Sequence, residues 1–298
     1  MTQDFERVKS RLDNIKAIEP LLGALRTMSM GTWQIALKKL EAMAQYEQYL
    51  DAILLEILPN LPKKRVKRNR KSSQPTTKTD TILLIIGTER GLCGKFNENL
   101  ASAALDWITI QNFTSYQIWA TGTKMIKELS QRGVELSGRH PLQTSALPSF
   151  EDSFQITQDW LNNYESGKFN QFFIIYNQPK KGGQVQFESL MLLPYEIPIA
   201  PASTQEKTQK WPPPIIETDP QYIYQIIIHY LIASNYHKAL LKSAIAEHST
   251  RYNLMQEAKN NAEEIIEDLY RVINTERKRR ITQEMQELAS GAGLLDNK

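Results

Sequence analysis

The sequence predicts an α/β protein: a long antiparallel coiled coil of the N- and C-terminal helices plus a central Rossmann-like α/β domain with a mixed sheet. Two observations concern the chain ends, each of which carries a stripe of apolar residues at steps of three and four. The third is the middle, where short apolar runs alternate with helical patterns.

The first stripe runs through Phe5, Val8, Leu12, Ile15, Ile18, Leu22, Leu25 and Met28. It resumes at Trp33, Ala36, Leu40, Met43, Tyr46, Leu50, Ile53 and Ile57. Pro20, Gly23 and Gly31 are the points where a kink or local loosening is expected. The second stripe follows Ile245, His248, Tyr252, Met255, Ala258, Ala262, Ile265, Leu269 and Val272, with no proline after Pro220 and no glycine before Gly291. It breaks at "NTERKRR" (Asn274–Arg280) and returns at Ile281, Met285 and Leu288.

Length says what these stripes do. Helices of these spans would be about 80 and 100 Å long, whereas a compact domain of this size has a radius of gyration of only ~20 Å. Two long helices with narrow apolar stripes bury them most simply against each other.

Between the ends, "TILLIIGT" reads as a buried strand, followed by a helix from Asn97 to about Ile108 with Leu100, Ala104, Leu105 and Ile108 inward. "SYQIWATG" is a second strand and "TKMIKELSQRG" a helix ending at Gly133. Ser149 and Asp152 signal the capped start of a helix that carries Phe150, Phe154 and Leu161. "FNQFFIIYN" and "QVQFESLMLL" flank the turn "QPKKGG" as a hairpin. The expected organisation is 1–60 N-terminal shaft helix, 61–79 basic linker, 80–195 globular domain, 196–218 proline-rich connector and 219–298 C-terminal shaft helix.

Composition narrows the class. The chain has 298 residues, 41% hydrophobic and 23% charged, with a net charge of +3. That charge is too mild to imply a polyanion partner. Seven Lys and Arg lie between Lys63 and Lys71, without interleaved aromatics to stack bases, so the run reads as a solvated linker. Cys93 is the sole cysteine, which excludes an internal disulfide and suits a reducing compartment. The charged N-terminus has no signal-peptide core, and the longest apolar runs fall short of the ~20 residues that span a bilayer. Membrane association would come through partners.

"GTERGLCGKFNENL" (Gly87–Leu100) looks at first like a phosphate loop. A phosphate cradle needs G-x-x-x-x-G-K-[ST]. Here two residues separate Gly91 from Gly94, and Phe96 follows Lys95 without a hydroxyl for Mg²⁺. A tight strand-to-helix turn fits better, with Asn97 as its N-cap. Cys93 reads as a small buried residue, with a reactive thiol as the alternative. His140, His229, His237 and His248 lack helical metal-pair spacing, and no G-x-S-x-G elbow occurs. No catalytic, cofactor-binding or metal residues emerge.

Three strings converge on one family. "GLCGKFN" (Gly91–Asn97) resembles the Gly-Leu-Cys-Gly-Gly-Phe-Asn element of the γ subunits of F-type ATP synthases, with Lys95 replacing a glycine. His229–Arg251 resembles that family's approach into its long C-terminal helix. Asn260–Ala292 is similar to its terminal signature through Asn261, Ala262, Leu269, Asn274, Arg277, Ile281, Thr282, Gln283, Glu284, Gly291 and Ala292. Departures lie at Pro20–Met28, where the family's Lys-Ile-Thr-Lys-Ala-Met is replaced and Leu25 takes the methionine's place. Arg277–Lys278 stands for the family's Arg-Gln pair, and the chloroplast-type insert with its cysteine pair is absent.

What the resemblance implies is a central-stalk rotor, non-catalytic by itself and without cofactor or small-molecule substrate. Its partners would be the alpha and beta subunits (the alpha3beta3 ring), the epsilon subunit and the membrane c-ring. It would be a peripheral membrane protein on the cytoplasmic (F1) side of a bacterial plasma or thylakoid membrane. Leu25, Arg277, Lys278, Thr282 and Glu284 become the expected ring contacts. Gly91, Cys93, Gly94, Phe96 and Asn97 become a fold loop. Two alternatives stay open: a γ-like paralogue that binds an F1-type ring or another complex without turning, and a nucleic-acid-binding coiled-coil protein using Lys63–Lys71.

Overall fold

A computed structural model describes residues 2–61, 81–140, 147–180, 184–196 and 215–291. The basic run Lys63–Lys71 and most of the proline-rich connector lie outside the described residues. The chain forms two compact units, one of residues 1–30 with 251–298 and one of residues 31–250. Helices α1 (Thr2–Ile57) and α5 (Pro220–Gly291) contribute to both.

α1 is helical straight through Pro20, Gly23 and Gly31. A side chain at either glycine would meet nothing within 4 Å, so neither serves close helix packing. Thr27 Oγ1 donates back to the Gly23 carbonyl one turn earlier at 3.1 Å, as a helical threonine does when it shares its i−4 carbonyl with the backbone amide.

In the first unit, α1 and α5 meet in an apolar cluster of Leu12, Leu269 and Ile273, with Phe5, Val8, Ile15 and Ile266 beside it. The seam then turns polar: Lys16 donates to the Tyr270 hydroxyl, Lys259 pairs with Glu19 at 3.4 Å, and Arg26 donates to Gln256 Oε1. The partners of rising α1 numbers fall along α5, so the helices are antiparallel. The expected seam needs correction. Ile265 and Val272 are 36% and 45% exposed, and their neighbours Ile266 and Ile273 face α1 instead. Ile18 and Met28 on α1 are also exposed. Ala262 and Leu269 keep their places, so the seam steps by four and then three (Ala262, Ile266, Leu269, Ile273) where three and then four was expected.

The second unit is built on a sheet ordered β3-β2-β1-β4-β5. Strands β1 (Thr81–Ile86), β2 (Tyr116–Thr121), β3 (Gly138–His140) and β4 (Gln171–Pro179) are parallel, and β5 (Val185–Leu193) runs antiparallel beside β4. All of β1 is buried, as a central strand covered on both faces must be. Leu83 and Ile85 face α2 (Phe96–Gln111) and α3 (Thr123–Gln131) through Leu100, Ala104, Ile108, Met125 and Leu129. Ile82, Leu84 and Ile86 face α4 (Phe150–Glu165) and α5 through Trp160, Leu161, Ile232, Tyr236 and Leu240. Trp160 stacks on Phe172 at 4.5 Å and meets Tyr236 edge-on at 4.8 Å. The mixed sheet is therefore as the sequence predicts, with the hairpin β4–β5 at one edge. The short β3 was not foreseen.

The Ser149 capping box holds: Ser149 Oγ accepts from the Asp152 amide at 3.1 Å, and Asp152 Oδ2 accepts from the Ser149 amide at 3.4 Å. One turn on, Ser153 Oγ contacts His237 Nδ1 at 2.9 Å and ties α4 to α5. His237 is only 3% exposed, and burial, helped by the Lys39 ammonium, pushes its pKa down to about 4. A base depressed in the folded state binds fewer protons than the unfolded chain between pH 6.5 and 4. Stability therefore falls as pH drops through that window. The loss should approach about 3 kcal/mol at its acid end. Urea midpoints measured at pH 7 and 4.5 should separate wild type from His237→Gln, which is expected to lose less stability on acidification. Equal losses in the two proteins would remove His237 from the acid response.

Candidate subunit-contact surface

Beyond Ile273, α5 runs on to Gly291, and nearly every residue from Asn274 to Ser290 is exposed. The reason is compositional: five of the seven residues in Asn274–Arg280 are charged, four of them basic, and a seam gains nothing from them. Arg279 reaches Glu276 at 3.9 Å and Arg280 reaches Glu284 at 3.6 Å, both along one helix face. Such exposed pairs contribute at most ~1 kcal/mol. Arg277 and Lys278 make no ion pair among the described residues. Thr282 Oγ1 donates to the Lys278 carbonyl at 2.9 Å. Ile281, Met285 and Leu288 form an exposed stripe on the same stretch. Beside it, Phe5 and the α5 residues Glu276, Arg280, Gln283 and Glu287 line an open crevice of about 280 Å³.

The expected contact residues thus divide. Arg277, Lys278, Thr282 and Glu284 lie together within two turns of α5. Leu25 does not join them. It is half-buried on α1, beside Arg26, whose partner Gln256 lies 21 positions before Arg277 on α5. That separation is about 30 Å along the helix.

The glycine loop lies at the carboxyl end of β1, beside the point where strand order reverses between β1 and β4. Ligand crevices of open α/β sheets form there. In this chain the place is packed: buried Cys93 and Phe96 meet Ala246 of α5, and Asn177 Nδ2 donates to the Phe96 carbonyl at 3.4 Å. Gly94 has φ 57°, a conformation that favours glycine, whereas a side chain at Gly91 would find ordinary contact at 3.6 Å from Lys124. Leu92, with φ 63° and 60% exposure, holds the same left-handed conformation without being glycine.

Asn97 is not the N-cap. The helix starts at Phe96, one residue earlier, so the Asn97 side chain points back to β1. Its Oδ1 accepts from the Thr88 amide at 3.1 Å and its Nδ2 donates to Thr88 Oγ1 at 2.8 Å. The loop is a stapled turn.

Sequence reasoning missed one polar cluster in the second unit. Glu47 on α1 accepts from Ser234 Oγ and Lys238 Nζ on α5. Its only trace in the sequence is a Ser and a Lys four residues apart within an apolar stretch. Among the described residues, no helix is long and apolar enough to cross a membrane.

The chain thus combines an antiparallel helix pair with a doubly wound sheet whose switch-point crevice is filled by Cys93, Phe96 and Ala246. Residues 4–295 match the family model described as ATP synthase, and the chain belongs to that family. It is 25% identical over 294 residues to the ATP synthase gamma chain of Chloroflexus aurantiacus, covering 97% of each chain. The gamma chain of Geotalea daltonii is 27% identical over 309 residues, again with 97% of each covered. That of Levilactobacillus brevis is 22% identical over the whole of both chains. The fold is similar to a rotor chain of Euglena gracilis mitochondrial ATP synthase, with TM-score 0.57 and 11% identity over 94% of this chain and 100% of that one. A central-stalk chain of the Tetrahymena thermophila mitochondrial enzyme gives TM-score 0.51 and 17% identity over 80% of this chain and 99% of that one.

Proposed function

We infer that this chain is the gamma-type rotor of an ATP synthase, the shaft that couples ion flow through a membrane sector to ATP synthesis or hydrolysis on an alpha–beta ring. The family match across residues 4–295 carries this reading. The exposed end of α5 supports it, because a charged and apolar helix end without a cover among the described residues suits a protein partner. In this reading 1–60 and 219–298 act as the shaft and 80–195 as the domain that meets epsilon and the c-ring. Arg277, Lys278, Thr282 and Glu284 meet the ring, and Leu25 contacts it at a separate level.

The chain itself does no ATP chemistry. An asymmetric shaft makes different contacts with each catalytic site of the surrounding ring. Differential contacts of that kind shift site populations between open and closed, and rotation carries the asymmetry from site to site. The chain reaches the membrane only through its partners, on the cytoplasmic face of a bacterial plasma or thylakoid membrane.

Affinity purification of the tagged full-length chain from its own membranes tests this. Alpha, beta, epsilon and c-ring proteins should come down together, and ATP hydrolysis by the isolate should drive ion uptake into vesicles. A ring without the membrane sector would instead favour a non-rotary paralogue. Duplex DNA binding lost when Lys63–Lys71 lysines and arginines become serine would favour the nucleic-acid reading.

A further inference from the structure

The Glu47 carboxylate accepts from Ser234 Oγ and Lys238 Nζ, each at 2.6 Å. The two donors stand one turn apart on α5, so one carboxylate of α1 bridges successive turns of the facing helix. Around it, Leu50, Leu54 and Ile57 pack on Ile227 and Leu231. That packing resists separation, but apolar contact is non-directional. A slip of one helix along the other, or a turn of α1 about its axis, would keep much of that area buried. It would break both charge-assisted bonds, which depend on geometry.

α5 is anchored separately. Ile232, Tyr236, Ala239 and Leu240 belong to the core beneath the sheet, and among the described residues no α1 side chain does. Tyr195, just past β5, packs on both that core and the α1–α5 cluster. Burial, with Asp51 and Glu47 nearby, pushes its phenol up to about 12. The Asp51 carboxyl is raised by burial and by Glu47, against the pull of Lys238. Lys238 thus faces two carboxylates of α1, and the Glu47 contact is the close one.

We propose that Glu47, held by Ser234 and Lys238, is the register clamp through which torque passes between α1 and the sheet-anchored α5. The proposal rests on the rotor reading. Glu47 is a positioning residue in it, remote from any chemistry.

Glu47→Ala and Lys238→Met each remove the pair, and the exchange Glu47→Lys with Lys238→Glu rebuilds it in reverse. In the isolated full-length chain, amides of residues 47–57 should exchange with solvent roughly tenfold faster in each single variant and recover in the exchange variant. In the purified complex, each single variant should keep ATP hydrolysis while the ions pumped per ATP fall several-fold, again recovering in the exchange. Glu47→Gln keeps an acceptor for Ser234 and should give an intermediate loss, which covers the case of a single variant that fails to assemble. Unchanged amide exchange overturns the clamp, and unchanged pumping per ATP despite faster exchange overturns its role in torque. A wild-type chain that brings down no ring would sink the rotor reading instead, and leave the amide-exchange result standing.

Discussion

Replacing Arg277 and Lys278 together by alanine should leave folding and assembly intact while lowering coupled turnover ten- to hundred-fold, the effect of losing about 1.5–3 kcal/mol of charge-assisted contact. Both side chains are exposed, and neither forms an ion pair among the described residues. Surface changes of this kind shift stability by only about 0.5 kcal/mol, and alanine favours the helix. Thr282 and Glu284 should matter less, because each already has a partner within α5. Thermal unfolding of the chain, subunit stoichiometry, ATP hydrolysis and ion pumping would be compared in wild type and the double variant. Normal assembly with unchanged hydrolysis and pumping would reduce the basic turn to a solvated patch and remove these residues from the coupling surface.

Both long helices were legible because their signal is one-dimensional. Apolar steps of three and four repeat over many turns, and the C-terminal segment has no internal breaker after Pro220. The capping box at Ser149 was legible for the same reason, since its two partners lie within one turn. Their phase was less legible. Ile266 and Ile273 displace Ile265 and Val272 from the seam because residue spacing fixes a face only to within one position over such a length. On α1, Ile53 is likewise exposed while Leu54 is buried.

Individual polar contacts between separate elements were not legible. Asn97 has the chemistry of an N-cap, and only the approach of Thr88 decides that it staples the turn instead. Glu47 looks like any solvated helix carboxylate until α5 brings Ser234 and Lys238 to it across more than 180 positions. Arg277 and Lys278 present the opposite case. Their exposure follows from composition alone, and the contacts proposed for them lie outside the chain.

Gly122→Ala should be among the most destabilising single changes in the sheet unit, at about 3–5 kcal/mol. Gly122 precedes α3 with φ 89°, a conformation that a side chain disfavours. Space is the larger obstacle. An added methyl would lie 2.7 Å from the carbonyl oxygens of both Gly87 and Thr88. Those atoms belong to backbone tied in place, since the Gly87 amide donates to Thr121 and the Thr88 carbonyl accepts from Lys124, each at 3.0 Å. Gly87 has no slack either, because a side chain there would meet Met125 Cβ at 2.3 Å. The ends of β1 and β2 thus close on each other through two glycines, and the stapled loop rests on that closure. Gly133 separates the two costs. Its φ is 74°, yet an added methyl would meet nothing within 4 Å. Gly133→Ala should therefore carry only the backbone cost of about 1 kcal/mol. Urea unfolding of the two variants should differ by at least about 2 kcal/mol. Equal midpoints would mean that β1 and α3 can move apart to admit a methyl, and the closure would then have no part in holding the loop.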